Sequence, residues 1–140
     1  MAFAAITAAL VVGRVMERAK FSTMMLFTAI WLTIVYPLAH MVWATGGLIH
    51  EWGALDFAGG TVVHINAGVS ALVGGIILGP RLGYLKEAML PQLLTMTLIG
   101  TGLSWVGWFG FNGGSQLEAE GIACLAVPNT FVAAASGVLF

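Results

Sequence analysis

Charge is what this chain has least of. Five basic and six acidic side chains serve 140 residues, 8% of the total, where a soluble domain carries about 25%. So few charges cannot cover a water-soluble surface. The 59% hydrophobic content instead describes helices made for a bilayer. A net charge of −1 gives no basic surface for nucleic acid. The single cysteine, Cys124, excludes an internal disulfide and any multi-cysteine metal site. It sits in an apolar run and is expected to be a small packed side chain rather than a reactive thiol. No basic segment precedes the apolar start and no small-residue cleavage site follows it, so the N-terminus does not read as a secretory signal. The chain begins and ends inside apolar runs, as an internal piece of a longer protein would.

The few charges punctuate the chain. Between them lie expected spans at 1–13, 21–44, 57–80, 88–112 and 121–140. The first is short and the last is near the minimum for crossing a bilayer. Pro37 and Pro128 fall inside spans, Pro80 closes the third and Pro91 opens the fourth. All five basic residues lie in two loops: Arg14, Arg18 and Lys20, then Arg81 and Lys86. The other two loops hold only acids: Glu51 and Asp56, then Glu118 and Glu120. Basic loops stay in the cytoplasm, so 14–20 and 81–87 are expected inside and the acidic loops outside. The fold class expected is all-α, a polytopic helical membrane protein.

Within this frame one stretch stands out: Asp56-Phe-Ala-Gly-Gly-Thr-Val-Val-His64-Ile-Asn66. If it is helical throughout, His64 lies about 12 Å beyond Asp56 along the axis, two turns into the span. An ionisable side chain at that depth usually lines a substrate or proton path. Ala67, Gly68, Ala71 and Gly75 share its helical face, and small residues mark close helix approach. His64 is therefore expected on a packed seam or beside a narrow passage. The residues alone leave open a purely structural hydrogen bond or a relay, for which a neutral imidazole, both donor and acceptor, is suited. Asp56 reads as a helix N-cap, a role compatible with drawing cations to an outer mouth. Phe3, Trp43, Phe111 and Ser115 fall at the same outer depth. Interfacial belts explain Trp52, Trp105 and Trp108. Trp43 can be belt or cation-binding face. His40 lies three residues before it, and His50 lies in an outer loop. Neither histidine has a carboxylate or second histidine at i+4, so a metal or haem site is not supported. Ser115 has no local base, which argues against an intramembrane hydrolase.

The Asp56–Asn66 run, continued through small residues to Gly79-Pro80-Arg81, resembles the signature of the ammonium transporter (Amt/Mep/Rh) family. So do Gly107-Trp-Phe-Gly-Phe111-Asn-Gly-Gly-Ser115, His40-Met-Val-Trp43 and Met1-Ala-Phe3. The resemblance covers the whole chain, with its motifs in order. It implies an eleven-span fold of two inverted pseudo-repeats, assembled as a homotrimer with one pore per protomer, of which this piece is the third to seventh spans. It implies that Phe3 and Phe111 form the stacked pore gate, and that Trp43 and Ser115 bind ammonium at the outer mouth with Asp56 in support. His64 is implied to be the first of two pore histidines, the second lying on a later span. Trp43 favours the Amt/Mep branch over Rh proteins.

The activity implied is ammonium recruitment at the outer site, deprotonation near the gate, and passage of ammonia through an apolar pore. An intact cation would pay a large dehydration cost there. No cofactor or metal is called for. The partners implied are ammonium or ammonia, membrane lipid, and a PII-type regulatory protein. The alternative is an ammonium sensor that binds at the same outer site and signals to a cytoplasmic partner.

Overall fold

The computed structural model describes residues 2–90 and 93–139. Among these every regular element is helical: α1 (Ala2–Val15), α2 (Phe21–Trp43), the single turn α3 (Leu48–Glu51), a π-helical turn (Thr61–Ile65) that runs directly into α4 (Asn66–Leu78), α5 (Leu94–Gly114) and α6 (Gly121–Leu139). Three stretches are long and apolar enough to cross a membrane: Phe21–Glu51, Thr61–Leu78 and Gly121–Leu139. α1 is apolar but shorter. α5 has the length, with 21 residues, but its glycines, Thr95, Thr97, Thr101, Ser104 and Asn112 make it less apolar. It begins at Leu94, several residues after the start of the uncharged stretch that contains it. Pro91 lies outside the described residues. α2 and α6 continue through Pro37 and Pro128.

One expectation is corrected. The helix that carries His64 does not begin near Asp56 but at Thr61. The intervening residues form a loop, with Gly59 at φ +82°, a left-handed conformation that suits glycine. His64 therefore sits in the first turn of the helix rather than two turns inside it, and its rise from the helix start is correspondingly small.

The chain forms two compact units, Met1–Ala88 and Met89–Phe140. In the first, α1 lies along the π turn and α4, and α2 packs against α1 and the π turn. Phe3 meets Gly59 at one end and Val15 meets Gly74 at the other, so α1 and α4 run parallel. Val11 of α1, Trp31 of α2 and Ala67 of α4 form the core, flanked by Leu32 and Tyr36. The Trp31 indole N–H donates to Ser70 Oγ at 3.1 Å, which satisfies the polar end of a side chain only 5% exposed. Apolar side chains gain little from leaving lipid for another helix, so membrane helices associate through close packing and such hydrogen bonds. The expected small-residue seam is present in part. Ala67 is buried and Ala71 and Gly75 are half-buried, whereas Gly68 is exposed. Opposite them Val69, Leu72 and Ile76 face outward.

The two basic loops meet at one end of this unit. Arg18 donates to the carbonyls of Gly79 and Arg14, both at 2.5 Å, where helix C-termini leave acceptors unfilled. Arg81 pairs with Glu17 at 3.0 Å. Asp56 and Glu51 lie beyond the far ends of the same helices, so the sorting of charge seen in the loops is a sorting between the two ends of the unit.

In the second unit, α5 packs on α6. Asn112 Nδ2 donates to Thr130 Oγ1 at 2.9 Å, and that hydroxyl donates to the Ala126 carbonyl at 2.7 Å. Trp105 stacks near Phe131, with ring centroids 5.5 Å apart. Cys124 is exposed on α6 rather than packed.

The α1–α4 seam yields a stability prediction. A Cβ at Gly74 would lie 3.2 Å from Val15 Cγ1, so Gly74→Leu must force α1 away. Overpacking of this kind costs about 1–3 kcal/mol. The expected outcome is a lower midpoint of thermal unfolding in detergent, followed by tryptophan fluorescence.

Candidate functional site

The start of the His64 helix is held by a single carboxylate. Asp56 Oδ1 accepts from the backbone amides of Gly59 at 2.9 Å and Gly60 at 2.8 Å, and Oδ2 accepts from Thr61 at 2.8 Å. These are the orphan donors of a helix N-terminus, which also carries partial positive charge. Burial by itself raises the Asp56 carboxyl, but hydrogen bonds from the Thr61 side chain and from the amides of Thr61, Gly60 and Gly59 together outweigh it, and the net shift is downward from the ordinary 3.8. The N-cap position belongs to Gly60 rather than Asp56, so the carboxylate serves the helix start from the preceding loop, and it still borders open space.

That space is a cavity of about 340 Å³ lined by His40, Trp43, Ala44, Thr45, Ile49, His50, Ala54 and Asp56. α2 delivers His40 and Trp43 one turn apart, α3 delivers His50, and the capping loop delivers Asp56. An aromatic face, a carboxylate and two imidazoles thus share one cleft. Sequence reasoning grouped Trp43 with Asp56 by depth but left out His40 and His50. The i+3 spacing of His40 and Trp43 was a usable signal for the first. Nothing local marked His50, which the chain reversal after Trp43 carries back to the site.

Phe3 comes to the same end from α1. Its ring centroid is 5.9 Å from that of Trp43, and its edge rests on Gly59, where a Cβ would lie only 2.5 Å from Cε1. Any larger residue at 59 would displace the phenyl ring. The capping loop therefore seats Phe3 as well as starting the helix.

His64 follows the fully buried Val62 and Val63 and is itself exposed in this chain. It sits inside the π turn, a geometry that shifts side-chain register relative to an α-helix and that often marks functional positions. Its helix neighbours Ile65 and Gly68 are likewise exposed.

Phe111 and Ser115 belong to the second unit, at the C-terminal end of α5. Ser115 Oγ donates to the Phe111 carbonyl at 2.7 Å. With its proton committed, the hydroxyl oxygen presents only acceptor lone pairs outward, which suits an N–H-bearing cation. Trp108 and Phe111 have ring centroids 6.1 Å apart.

The features so far define a class: a helical membrane protein with an aromatic and acidic cleft at the end of its helices opposite the basic loops. A profile of the Ammonium Transporter Family matches residues 1–140, the whole chain. The chain is 48% identical over 140 residues to a putative ammonium transporter of Methanothermobacter thermautotrophicus, covering 99% of this chain and 33% of that protein. It is 48% identical over 139 residues to an ammonium transporter of Bacillus subtilis, covering 99% and 34%. An ammonium transporter of Aquifex aeolicus is also 48% identical, over 140 residues, covering 99% and 32%. The chain belongs to the ammonium transporter family, a family of membrane transporters rather than enzymes, and spans about a third of the length of these relatives.

The Asp56 cap is testable by pH. A carboxyl whose folded pKa lies below 3.8 contributes stability that is present above that value and is lost as pH falls through the folded pKa. Wild-type unfolding midpoints should therefore fall below about pH 4, and Asp56→Asn should show a smaller fall. At neutral pH, Asp56→Ala should cost about 0.5–2 kcal/mol as a lost capping side chain, read in the same thermal assay.

Proposed function

We propose that this chain is the part of an ammonium transporter that recruits the cation from outside and carries the first pore histidine. The observation that carries this reading is that Trp43 and Asp56 line one cleft in a chain whose whole length matches the family. Ammonium settles against the Trp43 face and donates hydrogen bonds to acceptor oxygens, Ser115 Oγ among them. The Asp56 carboxylate, too occupied with backbone amides to be a strong direct ligand, supplies negative potential. Phe3 and Phe111 form the gate. Beyond it the proton is lost, and ammonia passes His64 along an apolar path that excludes the intact cation because dehydration without replacement ligands is too costly.

The expected spans at 1–13, 21–44, 57–80, 88–112 and 121–140 supply the membrane frame. The basic loops at 14–20 and 81–87 face the cytoplasm under the positive-inside rule. The meeting of Arg18 and Arg81 at one end of the first unit supports this. By the same family reading the complete protein is a homotrimer in the cell membrane, and its cytoplasmic face docks a PII-type regulator.

Two variants in the full transporter test the reading. A cation–π contact is worth about 0.5–2 kcal/mol, so Trp43→Leu should raise the KM for ammonium uptake by roughly 2- to 30-fold, measured by initial rates. An unchanged KM would remove Trp43 from the site. His64→Ala should abolish or sharply lower any ammonium-evoked current, and an unaltered current would count against a proton relay through this residue. An outer site that binds ammonium with no uptake at any concentration would instead indicate the sensor.

A further inference from the structure

We propose that His40 and His50 belong to the outer cation site and set its affinity through their own charge, so that protons and ammonium compete there. This rests on the reading of Trp43 as the ammonium-binding face. The His40 ring centroid lies 5.5 Å from that of Trp43, inside the roughly 6 Å over which an aromatic face attracts a cation. Tyr36 stacks on His40 from the previous turn, with centroids 6.0 Å apart and planes 17° from parallel, which holds the imidazole in place beside Trp43. A protonated His40 is then an intramolecular occupant of the aromatic surface that ammonium needs, and a like charge next to it. An unprotonated His40 keeps one acceptor nitrogen and can take an N–H from the bound cation.

His50 enters the same cleft from α3, with Nδ1 3.7 Å from the Glu51 carboxylate. The cleft's own titratable lining is His40, His50 and Asp56. Glu51 lies beside His50 and Tyr36 stacks on His40, and neither lines the cleft. Phe3 of α1, beside Trp43, is uncharged, and neither it nor His64 on the π turn lines the cleft. Carboxylates and phenols ordinarily titrate outside about pH 5–8, and imidazoles within it. With both imidazoles neutral the lining carries one net negative charge, that of Asp56, and with both protonated it carries one net positive charge. A small cation is favoured at the first extreme and repelled at the second.

The test is the pH dependence of KM in the full transporter, from initial ammonium uptake at outer pH 8 and 5.5. The expected wild-type result is a KM about five-fold or more higher at pH 5.5, a change of the size one cation–π contact supplies. In the His40→Gln/His50→Gln double variant the ratio of the two KM values should fall to within about two-fold. His40→Lys, charged at both pH values, should raise KM at pH 8 as well. A purely structural role would lower uptake at both pH values by a common factor and leave the ratio unaltered. If the double variant does not reach the membrane, His50→Gln alone must reduce the ratio. A double-variant ratio equal to wild type, or a His40→Lys protein with normal KM at pH 8, overturns the inference while saturable uptake leaves the transport reading intact. Absence of saturable uptake in the wild-type protein overturns the transport reading and this inference with it.

Discussion

Three backbone amides converging on the Asp56 carboxylate organise the outer end of this unit. They fix where the helix begins, because residues 57–60 must loop to bring Gly59, Gly60 and Thr61 onto one side chain. That loop requires the left-handed backbone of Gly59, and Gly59 in turn leaves the bare surface on which the Phe3 ring rests. The π turn that follows carries His64. One carboxylate therefore shapes the loop that seats Phe3, starts the π turn that carries His64, and places its own charge at the cleft. Half-buried, the carboxylate is stabilised there by those three amides and by the positive end of the helix they open.

Packing elsewhere uses the means open to helices that gain little from burying apolar side chains against one another in lipid. Gly74 and Gly75 let α1 approach α4, and single polar contacts, Trp31 to Ser70 and Asn112 to Thr130, bond neighbouring helices. Arg18 closes the C-termini of α1 and α4 together. Many large apolar side chains remain outward, Leu72 and Ile76 among them. A surface of that kind suits lipid or further helices of a chain about three times longer, the length of the relatives.

The cleft combines groups with complementary tasks. Trp43 offers a cation-attracting face that needs no counter-charge, which leaves the Asp56 carboxylate free for its structural work while its potential still reaches the cleft. The imidazoles add acceptors when neutral and positive charge when protonated. Under the proposed function, such an arrangement would favour a small, hydrogen-bonding monovalent cation over a bulky or strongly hydrated one, because aromatic faces replace little of a hydration shell.

Much of this was legible in the residues. Scarce charge and long uncharged runs determined a helical membrane protein, and the sorting of Arg14, Arg18 and Arg81 from Glu51 and Asp56 determined which ends belong together, because a bilayer penalises charge anywhere but its faces. The motif around Asp56 and His64 marked the family. What the sequence could not decide was local geometry that depends on contacts between distant segments. Periodicity treats the run from Asp56 to His64 as one helix, and only the folded chain, with Phe3 packed on Gly59 and three amides drawn to one carboxylate, decides that it is a loop followed by a π turn. The same holds for His50, which reaches the cleft through a reversal of the chain after Trp43 that no spacing encodes. Hydropathy is a property of each residue and survives in a linear reading; the meeting of side chains is a property of the packed whole.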